Sequence, residues 1–207
     1  MPFRNRTEAA EKLAQRLKNY RGKNPLILAI PRGAVPMGKI IADALDGELD
    51  VVLVRKLGAP GNEEYAIGAV DESGYVHMNE EAGFSKDDIY VQQEVERQMR
   101  TIFERRERYT PDRDPIDPSN RIVIVVDDGI ATGSTMLAAL KAIGSQKPAK
   151  LIAAIGVAPP DAVSRIENEA DEVVCLETPS IFFAVGQFFE EFEQVSDEEV
   201  IDLLNIF

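Results

Sequence analysis

A chain of 207 residues with 44% hydrophobic side chains can bury a full core by itself, so one domain with attached substructure is expected rather than two. Its formal net charge of −13 excludes broad nucleic-acid binding, which relies on Lys and Arg along phosphate backbones. A single cysteine, Cys175, excludes an internal disulfide or a cysteine-based metal site, and no apolar run reaches the roughly 18 residues of a membrane span.

Met1-Pro-Phe-Arg-Asn-Arg6 lacks the apolar stretch of a secretory signal, so the cytoplasm is the expected location and no membrane partner is foreseen. Cys175 lies in Glu172-Val-Val-Cys-Leu176 and reads as a buried strand residue. The negative charge favours solubility, yet a few cations gathered locally would still receive a small anion.

In chain order, Thr7 is expected to cap a helix to about Tyr20, with Ala10, Leu13, Ala14, Leu17 and Tyr20 on one face. Pro25 to Ile30 reads as a buried strand, Pro31-Arg32-Gly33 ends it, and a helix follows carrying Val35, Ile40, Ile41, Ala44 and Leu45. Leu49 to Val54 is the next strand, which makes a βαβ start and a parallel sheet. Arg55-Lys-Leu-Gly-Ala-Pro-Gly-Asn62 is expected as an irregular, mobile loop. Ala66 to Val70 and Tyr75 to Met78 suggest a small hairpin beside the main sheet, with His77 pointing outward and given no role.

Ser85-Lys-Asp-Asp88 is a capping signal for a helix to about Tyr109, lined by Val91, Val95, Met99, Ile102 and Phe103. The proline-rich segment 110–118 returns the chain to a strand from Arg121 to Val126. A helix through Met136, Leu137, Leu140 and Ile143, a strand from Lys150 to Val157, a helix through Ala162, Val163 and Ile166, and a strand from Val173 to Leu176 complete the alternation. The fold class is therefore α/β, a doubly wound, mainly parallel sheet. Residues 177–207 depart from that rhythm: an aromatic stretch from Pro179 to Phe189 precedes a helix capped by Ser196 with Val200, Ile201, Leu203 and Leu204 inward. A single domain over 1–207 is expected, with its core at about 21–176 and a hood or flap from 1–20 and 177–207.

Ligands of such sheets settle beyond the carboxyl ends of the strands. There, after Val126, stand Asp127 and Asp128, a pair able to accept hydrogen bonds from a vicinal diol. Side-chain alternation lets both face one ligand only if the strand has begun to bend. Ala131-Thr132-Gly133-Ser134-Thr135 then offers N–H groups with little bulk at a helix start, a phosphate cradle lacking both the P-loop and the dinucleotide glycine spacing. The same residues also fit an N-capping turn beside two incidental acids.

Val125-Val-Asp-Asp-Gly-Ile-Ala-Thr-Gly-Ser-Thr-Met136 resembles the phosphoribosyl-pyrophosphate motif of type I phosphoribosyltransferases. The resemblance implies that Asp127 and Asp128 bind ribose hydroxyls and that Ala131, Thr132, Gly133, Ser134 and Thr135 hold the 5′-phosphate. Pro31-Arg32-Gly33 resembles that family's pyrophosphate loop, with a cis peptide joining Pro31 to Arg32, and Arg55-Lys56 resembles its basic lid. Arg32, Arg55, Lys56 and Asp128 are accordingly the implied catalytic set, with Arg32, Gly33 and Phe183 also touching substrate. Mg²⁺ is the implied cofactor, carried mainly by phosphoribosyl pyrophosphate and water, so no metal ligand is named in the chain.

Phe183-Ala-Val-Gly186 resembles the base-stacking segment of hypoxanthine-guanine members, which however carry an acid where Ala131 stands, so purine salvage does not follow. Phe182 and Phe183 fit equally as base platform or as core. Over nearly its full length the chain resembles a bacterial group of phosphoribosyltransferases without an assigned acceptor. The implied partners are phosphoribosyl pyrophosphate and a nitrogenous base or amine, and a homodimer is compatible with the resemblance. A non-catalytic sensor of phosphoribosyl pyrophosphate or a nucleotide is the alternative, and a scaffold with a vestigial site is a third.

Overall fold

The computed structural model describes residues 2–205, with the side chains of Glu64 and Glu80 outside the description. Positions 206 and 207 of the C-terminal flap therefore lie outside the described residues. Five strands form a wholly parallel sheet: β1 (Leu26–Ala29), β2 (Glu48–Val51), β6 (Ile122–Gly129), β7 (Lys150–Val157) and β8 (Glu172–Glu177), in the spatial order β2-β1-β6-β7-β8. These central strands read as near-continuous apolar runs because both faces are covered.

The alternation along β6 divides the core in two. Ile124 and Val126 pack on the side of α1 (Arg6–Arg16) and α2 (Val35–Leu45), whereas Val123 and Val125 pack against α4 (Ser134–Ser145) and α5 (Pro160–Ile166). Helix α1 lies against β7, β8 and α2 and buries Leu13 with no exposure, a side chain whose burial is worth about 1.5–3 kcal/mol. Its cap is Asn5, whose side chain accepts from Glu8 N, and its regular part ends at Arg16, with a 3₁₀ turn over Lys18–Tyr20. Thr7 thus lies inside the helix, because Asn5 captures the free N–H first.

A second, antiparallel sheet stands beside the first, made of β3 (Val54–Ala59), β4 (Asn62–Asp71) and β5 (Val76–Met78). Here the structure corrects the sequence reading. The strand expected through Val54 ends at Val51, and the expected loop from Arg55 is itself a strand paired with β4. Pro60 and Gly61 do not loosen the chain; they form the tight turn between β3 and β4, with Gly61 at a φ of 73° that only glycine adopts readily. His77 is half-buried rather than outward, edge-on to Tyr75 at 4.5 Å, and its Nε2 finds no partner among the described residues. Burial, followed by the Lys141 charge, pushes its pKa down.

Helix α3 (Ile89–Tyr109) begins after Asp88, whose side chain accepts from Ser85 N at 2.8 Å and does not cap the helix, and packs on β3 and β4. Val91 and Ile102 are buried and Val95 and Met99 half-buried, but Phe103 is 58% exposed and does not join the core. Its C-terminal half is locked by an ionic cluster around Asp50, itself 1% exposed. Arg106 Nη1 reaches Asp50 Oδ1 at 2.8 Å, Arg113 Nη1 donates to Asp50 Oδ2 at 3.2 Å, and Ile116 N adds a bond of 3.0 Å. Arg106 also pairs with Glu72 at 2.8 Å, tying α3 to the turn after β4. The last helix, α6 (Asp197–Leu204), is capped by Ser196 and buries Val200 and Leu204.

Candidate functional site

Between β1 and β6 the chain leaves the sheet in opposite directions, since α2 covers one face and α4 the other. That reversal opens a crevice at the carboxyl ends of the two strands. Into it run the loop Pro31–Gly33 after β1 and the turn 131–133 after β6. The Pro31–Arg32 peptide is cis.

The turn after β6 has the form of an anion cradle. Gly133 takes a φ of 78°, where a Cβ would be strained, and so lets α4 begin abruptly at Ser134. The cap residue Gly133 has no side chain to close that start, and the one first-turn N–H taken by a side chain is that of Ser134, which donates to Thr132 Oγ1 at a long 3.4 Å. Thr132 and Thr135 are exposed, Ser134 is half-buried, and the Thr132 and Ser134 hydroxyls lie 3.1 Å apart.

The two acids are held differently. Asp128 is 8% exposed and continues the even-numbered side of β6, toward α1. Arg6, in the first turn of α1, donates from Nε to Asp128 Oδ2 at 2.8 Å and from Nη1 to the Glu193 carbonyl at 2.6 Å. The same guanidinium lies 3.9 Å from the centroid of Phe192. Gly33 closes the arrangement: a Cβ there would come within 2.3 Å of Asp128 Oδ2 and 3.2 Å of Arg6 Nη2. Asp127 is half-buried, and desolvation followed by the Asp128 charge raises its pKa well above the usual carboxylate range. The strand runs straight through both residues to Gly129, yet their carboxylates still lie close enough for one charge to act on the other.

Beyond Pro31 and Thr135 a cleft of about 290 Å³ extends between β3 and α3. Arg55, Lys56, Arg97 and Arg105 line it, with Glu63 and Glu94. Arg55 and Lys56 therefore do meet the crevice, but from a hydrogen-bonded strand rather than a free loop. Arg32 Nη1 stands 3.7 Å from Asp197 Oδ1 at the start of α6. Phe183 is 85% exposed, while Phe182 stacks on Phe188 at 5.2 Å and serves packing. Cys175 is half-buried, and burial pushes its thiol up to about 11, away from nucleophilic use.

Sequence reasoning missed Arg6, Gln98, Arg105, Phe192 and Asp197. Arg6 meets Asp128 across 122 positions, and no periodicity or short motif signals such a pairing. Among the described residues no group of three or more His, Cys, Asp or Glu side chains is arranged to hold a metal, and no helix is long and apolar enough to cross a membrane.

A parallel sheet ordered around this crevice, with an acid pair and a small-residue turn on its central strand, is the type I phosphoribosyltransferase fold. The chain belongs to the family described as the phosphoribosyl transferase domain, which it matches over residues 4–190. Two Mycobacterium tuberculosis proteins carrying the provisional name phosphoribosyl transferase, from strains CDC 1551 / Oshkosh and ATCC 25618 / H37Rv, are each 41% identical over 205 residues, 98% of this chain and 46% of theirs. The chain thus spans about half the length of the curated relatives it matches. The crystal structure of TT1426 from Thermus thermophilus is 42% identical and superposes with a TM-score of 0.89, covering 99% of this chain and 98% of that one.

Proposed function

We propose that the protein transfers the phosphoribosyl group of phosphoribosyl pyrophosphate to a nitrogenous base or amine and releases pyrophosphate. The observation that carries this reading is the placement of the acid pair and the glycine-led turn of α4 at the strand reversal, with a cation-lined cleft directly alongside. In it, Asp127 and Asp128 accept the ribose hydroxyls, and the N–H groups and hydroxyls from Ala131 to Thr135 hold the 5′-phosphate. Arg32 and Gly33 line the path to the diphosphate, where Arg55 and Lys56 offset the charge that develops as the ribose C1–O bond breaks. The acceptor nitrogen then bonds to C1, and where the acceptor is a planar base the exposed Phe183 is the side chain assigned to stack on it.

Mg²⁺ fits the donor set in a limited way. Asp127 and Asp128 form an adjacent acid pair whose mutual repulsion a nearby cation would relieve. That suits an ion carried mainly by phosphate oxygens and water, with Asp127 and Asp128 as its protein neighbours. When bound there, such an ion would supply positive charge beside the diphosphate oxygens. A cytoplasmic setting, freedom from nucleic-acid and membrane partners, and a core at about 21–176 with a hood from 1–20 and 177–207 belong to the same proposal, and a homodimer is consistent with it.

Melting with phosphoribosyl pyrophosphate and Mg²⁺, followed by an acceptor screen scored by pyrophosphate release, tests the reading. A rise in Tm together with release that Asp128→Asn abolishes supports it. No shift in Tm overturns it, and binding without release for any base or amine would instead make the protein a sensor of phosphoribosyl pyrophosphate.

A further inference from the structure

The cleft beside the donor site contains an electrostatic conflict that protein atoms leave unresolved. Arg55 and Arg105 are both half-buried, and neither has a carboxylate partner among the described residues, whereas Arg97, Arg106 and Arg108 each hold two acids. This occurs in a chain with 36 acidic and 23 basic side chains, where counter-charge is abundant. Arg55, Arg97 and Arg105 line the same cleft, and burial first, then the charges of Arg105 and Arg97, lower the pKa of Arg55 against the smaller opposing charge of Glu94.

The arrangement is built in. Arg55 Nε donates to Gln98 Oε1 at 2.9 Å, and Gln98 Nε2 donates to Glu94 Oε1 at 2.8 Å. Glu94 in turn takes Arg97 through bonds of 2.8 and 2.9 Å. Gln98 and Glu94 are 7% and 6% exposed, so the amide is fixed at both ends and cannot swing aside. Tyr90 OH, also on α3, donates to the Gly58 carbonyl at 2.8 Å and holds β3 against the helix. Both Nη groups of Arg55 are left without a protein acceptor among the described residues. The cleft that these residues line is continuous with the phosphate turn through Thr135 and with the cis loop through Pro31.

We propose that α3 is the fixed wall of the diphosphate subsite, with Arg105 binding the leaving diphosphate directly and Gln98 positioning Arg55 against it from β3. This rests on the phosphoribosyltransferase reading and deepens it. The leaving-group cations stand preset on a strand and a helix and do not wait for a loop to close. A diphosphate between them offsets their mutual repulsion, which gives a dianionic or tetra-anionic ligand more gain than either arginine would offer alone.

Calorimetric titration of the full chain with inorganic pyrophosphate plus MgCl₂, and separately with ribose 5-phosphate, tests the wall. Arg105→Gln is expected to weaken pyrophosphate by about tenfold or more, while ribose 5-phosphate shifts by less than about twofold. Gln98→Met is expected to weaken pyrophosphate by a smaller factor of about three to five, again sparing ribose 5-phosphate, and Arg105→Lys to recover part of the loss. Wild-type protein that ignores pyrophosphate, variants that bind it as tightly as wild type, or variants that lose both ligands equally would overturn the proposal. Failure of ribose 5-phosphate alone to bind wild type would instead refute the assignment of the α4 turn, and the pyrophosphate comparison would still decide the role of Arg105.

Discussion

Replacing Arg6 by methionine removes the only guanidinium that meets Asp128 among the described residues and leaves a carboxylate without its counter-charge. The pair is 2.8 Å long, and its side chains are 14% and 11% exposed. Breaking a fully buried pair costs about 3–5 kcal/mol; the small exposure here lowers the ionic part to about 2–3 kcal/mol. Loss of the cation from the Phe192 face adds about 1 kcal/mol. A total of about 3–4 kcal/mol corresponds to a fall in Tm of about 6–16 °C for a chain of this size. Urea denaturation of Arg6→Met, Asp128→Asn and the double variant isolates the pair. The coupling energy is expected at about 1.5–2.5 kcal/mol, because the double variant no longer buries an unpaired acid. A coupling below about 0.5 kcal/mol would show that Arg6 serves only to pack Phe192 and that Asp128 is satisfied by solvent.

Gly33→Ala would drive a methyl to 2.3 Å from Asp128 Oδ2, so a loss of about 1–3 kcal/mol in denaturant melts and a weaker ribose 5-phosphate affinity are expected together; an unchanged affinity would separate the loop from the acid pair. Asp127→Asn is expected to stabilise the free protein. With its folded pKa raised, Asp127 favours the fold while protonated, below its unfolded value, and that advantage is lost as pH rises through the folded value. The Tm gain of the variant should therefore grow from acid toward neutral pH, and a gain independent of pH would contradict the assigned burial. Asp50→Ala leaves Arg106 with Glu72 alone and takes from Arg113 its one carboxylate among the described residues, and should cost about 3 kcal/mol by chemical denaturation, whereas a cost under about 1 kcal/mol would mean that water replaces Asp50.

The central sheet was legible because its strands are covered on both faces and so appear as unbroken apolar runs; β7 spans the residues expected of it. The turn of α4 was legible because a glycine forced into positive φ and a row of small hydroxyl residues leave a local record. The region from Arg55 to Asn62 was misread for a related reason. Pro60 and Gly61 punctuate a two-residue hairpin turn as strongly as they would a long loop, and only pairing with β4 distinguishes the two. Phe103 matches the helical stripe in spacing but faces solvent, since the three-stranded sheet does not extend beneath it. Arg6 and Asp197 left no trace at all, because each acts through partners far away in sequence.

Phe3 bridges Phe189, Arg6 holds Glu193, and Asp128 receives Arg6, so the start of the described chain and a segment close to its end meet over the strand at its middle. During synthesis, at about 5–20 residues per second, β6 emerges well before residues 189–193 are made. Until they appear, Arg6 lacks its aromatic and carbonyl partners and the acid pair faces open water. The acid pair is therefore made well before the segment that holds Arg6 over it, and that segment follows within about a dozen residues of β8, the strand that completes the sheet.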